Sequence, residues 1–175
     1  DIDLGKAEAR SLAVIRAGGT AKAFRCDVLD RVQVRECYEA LCRLWGAPGF
    51  LINGAGGNTP RASTSEEFHV RAESSGPSTQ SFFDLDPAGF RQVFDLNFMS
   101  TFLVTQVFSR GMVEKGKGAI VNISSMSAFT PLTKVAAYSA AKAAVSNFTQ
   151  WLAVHMCQNF SKDIRVNAIA PGFFL

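Results

Sequence analysis

Gly118-Ala119-Ile120-Val121-Asn122-Ile123-Ser124-Ser125 reads as a buried parallel strand: short, apolar, opened by glycine and closed by two hydroxyls. Open α/β sheets bind ligands at the C-terminal ends of such strands, which puts Ser124 and Ser125 at a candidate site. Two other runs share this character. Phe50-Leu51-Ile52 leads into Asn53-Gly54-Ala55-Gly56-Gly57, whose small residues let backbone approach a ligand closely, and Ile164-Arg165-Val166-Asn167-Ala168-Ile169 leads into Ala170-Pro171-Gly172, a turn. Ala21 to Cys26 reads as a further strand. Helical patterns fill the intervals. One covers roughly residues 5–17 and ends at Gly18-Gly19, and another covers roughly 31–46 with Asp30 as N-cap. A long one runs from Pro87, proline being favoured at the first position, to about Glu114, and a last one from about Lys134 to Asn159. This alternation predicts an α/β fold, a doubly wound parallel sheet with helices on both faces. Residues 59–81, rich in Ser, Thr, Pro and Glu, read as an inserted loop, and loops this long are usually functional or disordered.

The 175 residues fit one domain, 1–175, with 47% hydrophobic and 19% charged content, the balance of an ordinary globular chain. A net charge of +3 on scattered basic residues argues against a nucleic-acid partner. No apolar run reaches membrane-spanning length and no signal peptide is visible, so no membrane partner is expected. Cys26, Cys37, Cys42 and Cys157 lack zinc-type or Cys-x-x-Cys spacing and read as free thiols of a reducing cytoplasm. His69 and His155 have no ligand-spaced partner, and no metal is expected. The sequence has no internal repeats.

The chemistry concentrates in Tyr138-Ser139-Ala140-Ala141-Lys142, inside an Ala-rich helical stretch. A four-residue step puts both functional side chains on one helix face. A free phenol titrates near ~10, and a neighbouring ammonium favours phenolate, so the pair is a candidate acid/base unit. By itself the pattern also fits two residues on a solvated helix. Asn97, among apolar neighbours in Asp95-Leu96-Asn97-Phe98, needs hydrogen-bond partners if buried. A hydroxyl such as Ser125 can both donate and accept, and so can follow a carbonyl-to-alcohol change. Arg61 could pair bidentately with a substrate carboxylate, with Lys134 as a second candidate, although both also fit solvated surface charges.

In this order and spacing, the Asn53-Gly54-Ala55-Gly56 turn, Asn97, Ser125, Tyr138, Lys142 and Pro171-Gly172 resemble the short-chain dehydrogenase/reductase family over nearly the whole chain. Within it, Leu51 to Asn58, Phe82-Phe83-Asp84-Leu85-Asp86-Pro87 and Ser124 through Trp151 are most similar to the mannonate oxidoreductase (fructuronate reductase) type. The resemblance implies a Rossmann-like fold and an NAD(P)-dependent oxidoreductase acting on a carbonyl or secondary alcohol. The expected small-molecule substrate is a sugar acid, D-fructuronate or D-mannonate. Asn97, Ser125, Tyr138 and Lys142 form the implied catalytic set, Asn97 holding a water. The implied cofactor contacts are Asp1, Asp27, Val28, Asn53, Gly54, Ala55, Gly56, Tyr138, Lys142, Pro171 and Gly172, with Ser125 and Arg61 on the substrate. Gly54 stands where the family commonly has Asn.

A carboxylate at Asp1, or alternatively Asp3, would bond the adenosine ribose and repel a 2′-phosphate, favouring NAD, with NADP possible. The plainer role for both aspartates is helix N-terminal, and for Asp27 a turn. A homodimer or homotetramer through the last helix is implied, with Phe148 and Trp151 at the contact. Relative to the family pattern the chain reads as a fragment lacking both the first strand with its Gly-rich loop and the last strand, and is expected to be inactive alone. Other readings keep the fold with a 3-oxoacyl thioester or polyol substrate, or take the chain as a catalytically silent dinucleotide-binding or structural protein. A Ser-Lys hydrolase lacks a nucleophile elbow.

Overall fold

A computed structural model of the chain describes residues 1–68 and 79–173. The elements, in order, are α1 (Leu4–Arg16), α2 (Arg31–Trp45), β1 (Phe50–Asn53), α3 (Pro87–Phe94), α4 (Ser100–Phe108), α5 (Arg110–Lys115), β2 (Gly118–Ile123), α6 (Ala136–Asn159) and β3 (Ile164–Ile169). Residues 69–78 of the inserted loop, His69 among them, lie outside the described residues.

The strands form a parallel sheet in the order β1-β2-β3. Phe50 pairs with Ala119 and Asn53 with Asn122, while Gly118 pairs with Ile164 and Ile123 with Ile169. Alternation sends Leu51, Ile120, Ile164 and Val166 to one face, where they pack with Met112 of α5 and Leu152 and Met156 of α6 into the core. Phe50 and Ile52, on the other face, are exposed, and α1 has no buried residue. In this chain the helices α4, α5 and α6 therefore cover one face of the sheet.

Helix starts follow the cap chemistry. Asp30 accepts bonds from the backbone N–H groups of Val32 and Gln33 at the start of α2, and Asp86 accepts one from Ala88 at the start of α3, where Pro87 opens the helix. The expected strand at Ala21–Cys26 is absent from the sheet. Its backbone pairs with other backbone only at the chain's first residue, Cys26 N–H donating to Asp1 O at 2.9 Å and the Asp1 amino group to Phe24 O at 3.2 Å. A strand needs a ladder neighbour along its length, and this segment has one at a single point.

The predicted helix from Pro87 to Glu114 differs more. It is divided into α3, α4 and α5, with a π-helical turn at Asp95–Met99 between the first two. Such wide turns inside α-helices are frequent at functional sites, and this one contains Asn97. The last helix begins at Ala136, two residues beyond the predicted start.

Candidate active site

The C-terminal ends of β1 and β2 converge with α6 and the π-turn on one cluster. Lys142 is 4% exposed, and its Nζ donates to Ile123 O at 2.7 Å. Burial pushes its pKa below the usual lysine value. The ammonium lies 5.5 Å from the centroid of the Tyr138 ring, as the four-residue step requires. That ring is half-buried and rests on Ala62, Val93 and Ala137.

Ser125 follows the end of β2 in extended conformation and caps the short turn Met126–Ala128. Its Oγ accepts from the backbone N–H of Ser127 at 3.2 Å and from the Ser127 hydroxyl at 3.0 Å. Both bonds use its lone pairs and leave its own proton for an outside acceptor. Ser124, the neighbouring hydroxyl, is engaged inward instead, with Lys142 O at 3.1 Å and Ser146 Oγ at 2.6 Å. The turn after β3 closes against this segment, Met126 N–H donating to Pro171 O at 2.9 Å, and Gly172 faces the Met126 sulfur.

Asn97 is fully buried. Its Nδ2 donates to Gly57 O at 2.7 Å and to Val93 O at 2.8 Å, while Gly57 N–H donates to its Oδ1 at 3.3 Å. The carboxamide thus pairs with Gly57 as one peptide pairs with another, and both of its donors are occupied by protein. Gly56 passes between Asn97 and Lys142. A Cβ there would stand 2.6 Å from Asn97 Oδ1 and 3.3 Å from Lys142 Nζ, so a residue without a side chain is required.

Beside this cluster lies a cavity of about 590 Å³ lined by Asp1, Ile2, Cys26, Asp27, Val28, Gly54, Ala55, Gly56 and Leu96. It gathers six of the expected cofactor contacts. Asn53 lies beneath it, buried. Asp3 is used elsewhere, capping α1 through the Lys6 N–H, whereas Asp1 reaches the cavity. Asp27 also holds a turn, accepting from Leu29 N–H at 2.9 Å. The Gly-x-Gly backbone and the two flanking carboxylates fit an adenosine, flat and apolar with hydroxyls at one edge.

Arg61 is engaged with a protein carboxylate. Its guanidinium pairs with Asp86, Nε donating to Oδ2 at 2.8 Å and Nη2 meeting the same oxygen. Asp86 titrates below the usual carboxylate range, because of the Ala88 N–H first and Arg61 second. The Lys134 carbonyl accepts from Thr64 N–H at 3.0 Å, which ties the base of the insertion to the approach of α6.

Sequence reasoning missed a buried polar chain under the site. Asn53 Nδ2 donates to Thr105 Oγ1 and to Asn122 Oδ1, both at 2.8 Å. Asn122 Nδ2 donates to Thr149 Oγ1 at 2.8 Å, and that hydroxyl donates to Val145 O at 2.7 Å. The chain links β1 and β2 to α4 on one side and to α6 on the other. An asparagine inside the apolar run of β2 was its sequence signal, since such a residue must find partners. In the sequence Gly57 reads only as a small residue, and its bond to Asn97 depends on the π-turn, which has no sequence signal. Among the described residues there is no group of three or more metal-ligating side chains and no helix long and apolar enough to cross a membrane.

Comparison with known proteins agrees with this architecture. The family model for short chain dehydrogenases matches residues 3–175. An uncharacterised oxidoreductase of Haemophilus influenzae is 48% identical over 176 residues, covering 100% of this chain and 60% of that protein. The uncharacterised oxidoreductase UxuB of Bacillus subtilis is 49% identical over 170 residues, covering 97% and 59%. The crystal structure of a provisionally named D-mannonate oxidoreductase from Haemophilus, with bound NAD, superposes with a TM-score of 0.92 at 46% identity, covering 100% of this chain and 61% of that one. An NAD+-bound xylitol dehydrogenase gives a TM-score of 0.82 at 26% identity, over 99% and 58%. The chain therefore spans about 60% of the length of these relatives. With a Rossmann-like parallel sheet, a buried lysine beneath a tyrosine at the strand ends, and a family match from Asp3 to the last residue, the chain belongs to the short-chain dehydrogenase family.

Proposed function

We propose that this chain carries the proton-transfer site and the adenosine-binding part of an NAD-dependent oxidoreductase acting on a secondary alcohol or its carbonyl, with a sugar acid of the D-mannonate/D-fructuronate kind as substrate. The observation that carries the reading is the buried Lys142 ammonium, bonded to Ile123 O at 2.7 Å and lying 5.5 Å from the Tyr138 ring centroid at the strand ends. NAD, when bound, supplies the hydride acceptor or donor. Tyr138 takes the hydroxyl proton in oxidation and returns it in reduction. Lys142 places its ammonium 5.5 Å from the phenol ring centroid and would bond the nicotinamide ribose. Ser125 gives its free hydroxyl proton to the substrate oxygen and holds it facing Tyr138. Asn97 fixes Gly57, and with it the Gly54–Gly56 wall of the nucleotide cavity.

Asp1 accepts the adenosine ribose hydroxyls and disfavours a 2′-phosphate, giving NAD preference, with NADP the poorer cofactor. Asp27 and Val28 border the adenine, and Pro171-Gly172 lies toward the nicotinamide. The sugar-acid assignment draws on the Haemophilus structure with bound NAD and on Arg61, whose guanidinium exchanges Asp86 for the substrate carboxylate. The pairing of Arg61 with Asp86 also supports a second reading, a neutral polyol substrate, because the cation is already matched. The protein works as a cytoplasmic homodimer or homotetramer, with α6 pairing about a two-fold axis. Support for assembly comes from Trp151 and Val154, 56% and 55% exposed on the side of α6 away from the sheet.

The deciding experiment uses the protein at its full natural length. Tyr138→Phe should abolish nearly all turnover of D-mannonate with NAD while leaving the NAD dissociation constant within about twofold, and retained turnover refutes the reading. Activity on xylitol or another uncharged polyol, with none on D-mannonate, decides for the second substrate class.

A further inference from the structure

Two thiols outside the proton-transfer cluster are neighbours on the wall of one cavity. Cys26 ends the extended segment that precedes the nucleotide cavity, and Cys37 sits on the second turn of α2. Cys37 is the group that, after burial, most raises the Cys26 pKa, which makes it the neighbouring thiol. The Cys37 sulfur also reaches Arg25 O at 3.5 Å, the carbonyl immediately before Cys26. Both residues are half-buried and line a cavity of about 450 Å³ with Phe24, Val28 and Val34, open enough for a small reagent. Cys26 lines the nucleotide cavity as well, beside Asp27 and Gly54. The other two cysteines lie apart from this pair: Cys42 is beside Tyr38, and Cys157 is exposed near the end of α6.

We propose that Cys26 and Cys37 form an oxidisable dithiol site, closed to a disulfide by a small hydroperoxide, and that closing it weakens nucleotide binding in the adjoining cavity. The second half of this proposal rests on the NAD reading given above. In the first step the Cys37 sulfur attacks the peroxide. The O–O bond breaks, one oxygen joins the sulfur as a sulfenic acid, and the other leaves as an alcohol, or as water from hydrogen peroxide. The Cys26 sulfur then attacks the Cys37 sulfur, the S–S bond forms, and the sulfenic hydroxyl leaves as water with the Cys26 proton. Two thiols are oxidised by two electrons and one peroxide is reduced.

The order of attack follows from Cys26, whose pKa is pushed up to about 12 by burial first and then by Cys37. Burial disfavours the Cys26 thiolate, so Cys26 is the poorer first nucleophile of the two. The second step needs the Cys26 thiolate, so its rate rises with pH. Two sulfurs must approach to about 2.05 Å to bond. That contraction draws Cys26 toward α2 and away from the Asp1 and Gly54 side of the nucleotide cavity.

The test treats the protein, at its full natural length, with hydrogen peroxide at pH 7 and pH 8. Free thiols are then alkylated and the disulfides mapped by mass spectrometry. The expected product joins Cys26 to Cys37, forms faster at pH 8, is reversed by dithiothreitol, and is missing from Cys26→Ser and Cys37→Ser. Failure to form that link, or oxidation confined to Cys42 or Cys157, overturns the proposal. Calorimetry with NAD is run on the reduced and oxidised protein, with Cys37→Ser as a control. Several-fold weaker binding after oxidation, with no response in Cys37→Ser, is expected, and equal affinity in both redox states overturns the coupling. A reduced protein that binds no NAD refutes the functional reading and the coupling with it, while the disulfide map decides the dithiol site separately.

Discussion

Replacing Gly56 with alanine tests the site by its tightest contact. The added Cβ would stand 2.6 Å from Asn97 Oδ1 and 3.3 Å from Lys142 Nζ, and an ordinary contact begins near 3.4 Å. The amide oxygen must therefore retreat by about 0.8 Å, from 2.6 to 3.4 Å. Gly57 N–H already reaches that oxygen at 3.3 Å, so the retreat breaks this bond, and it strains the 2.7 Å bond from Nδ2 to Gly57 O. Leaving a buried amide group unsatisfied costs roughly 1–3 kcal/mol. Gly56 has no left-handed backbone conformation, so the whole effect is steric. Gly49→Ala is the matched control, because a Cβ there meets nothing within 4 Å and the change should stay within about 0.5 kcal/mol. Urea denaturation of both variants and the parent measures the difference through the midpoint at constant slope. A Gly56→Ala variant as stable as Gly49→Ala, with unaltered NAD affinity, would refute the close packing of Gly56 between Asn97 and Lys142.

Asn122→Leu removes the centre of the buried polar chain and leaves donors and acceptors of Asn53 and Thr149 partly unmatched; a loss of about 1–3 kcal/mol is expected in the same denaturation assay. Lys142→Met removes an ammonium that folding desolvates. The folded-state pKa lies below the unfolded one, so between those values the unfolded chain binds more protons and stability rises with pH. The parent should thus gain stability as pH rises toward the ordinary lysine value and lose that gain below the folded-state pKa, whereas Lys142→Met should lack this slope, as denaturation at several alkaline pH values will reveal. Trp151→Glu should shift the protein toward monomer in sedimentation velocity with its fold retained by circular dichroism; an unchanged assembly would remove α6 from the interface.

Strands β1, β2 and β3 were legible because each is a short apolar run closed by small or hydroxyl residues. The site was legible where chemistry follows helical spacing, as for Tyr138 and Lys142, or the end of a strand, as for Ser125. Ala21–Cys26 has strand composition, but pairing is a property of neighbours, and its backbone pairs with other backbone only at Asp1. The ion pair of Arg61 was not legible in isolation, because its partner Asp86 is 25 residues away and meets it only through the turn at Pro60–Ala62. The partners of Asn97 were hidden for a similar reason. They depend on the phase of a helix that the residue pattern alone describes as uninterrupted.

That phase has a consequence of its own. Gly89, Val93, Asn97, Thr101, Thr105 and Ser109 are all buried and recur every fourth residue. At 3.6 residues per turn such a row drifts by about 40° at each step, or about 200° over five steps, which would carry its end to the opposite side. The wide turn at Asp95–Met99 accommodates an additional residue and takes back roughly 100° of that drift. One continuous inward-facing strip results, with Asn97 on Gly57 partway along it and Thr105 on Asn53 further on. Deleting Asp95 or Leu96 would let the helix regularise and rotate everything after it by about 100°. Both contacts would be lost at a stroke, so this helix tolerates substitution far better than a change of length.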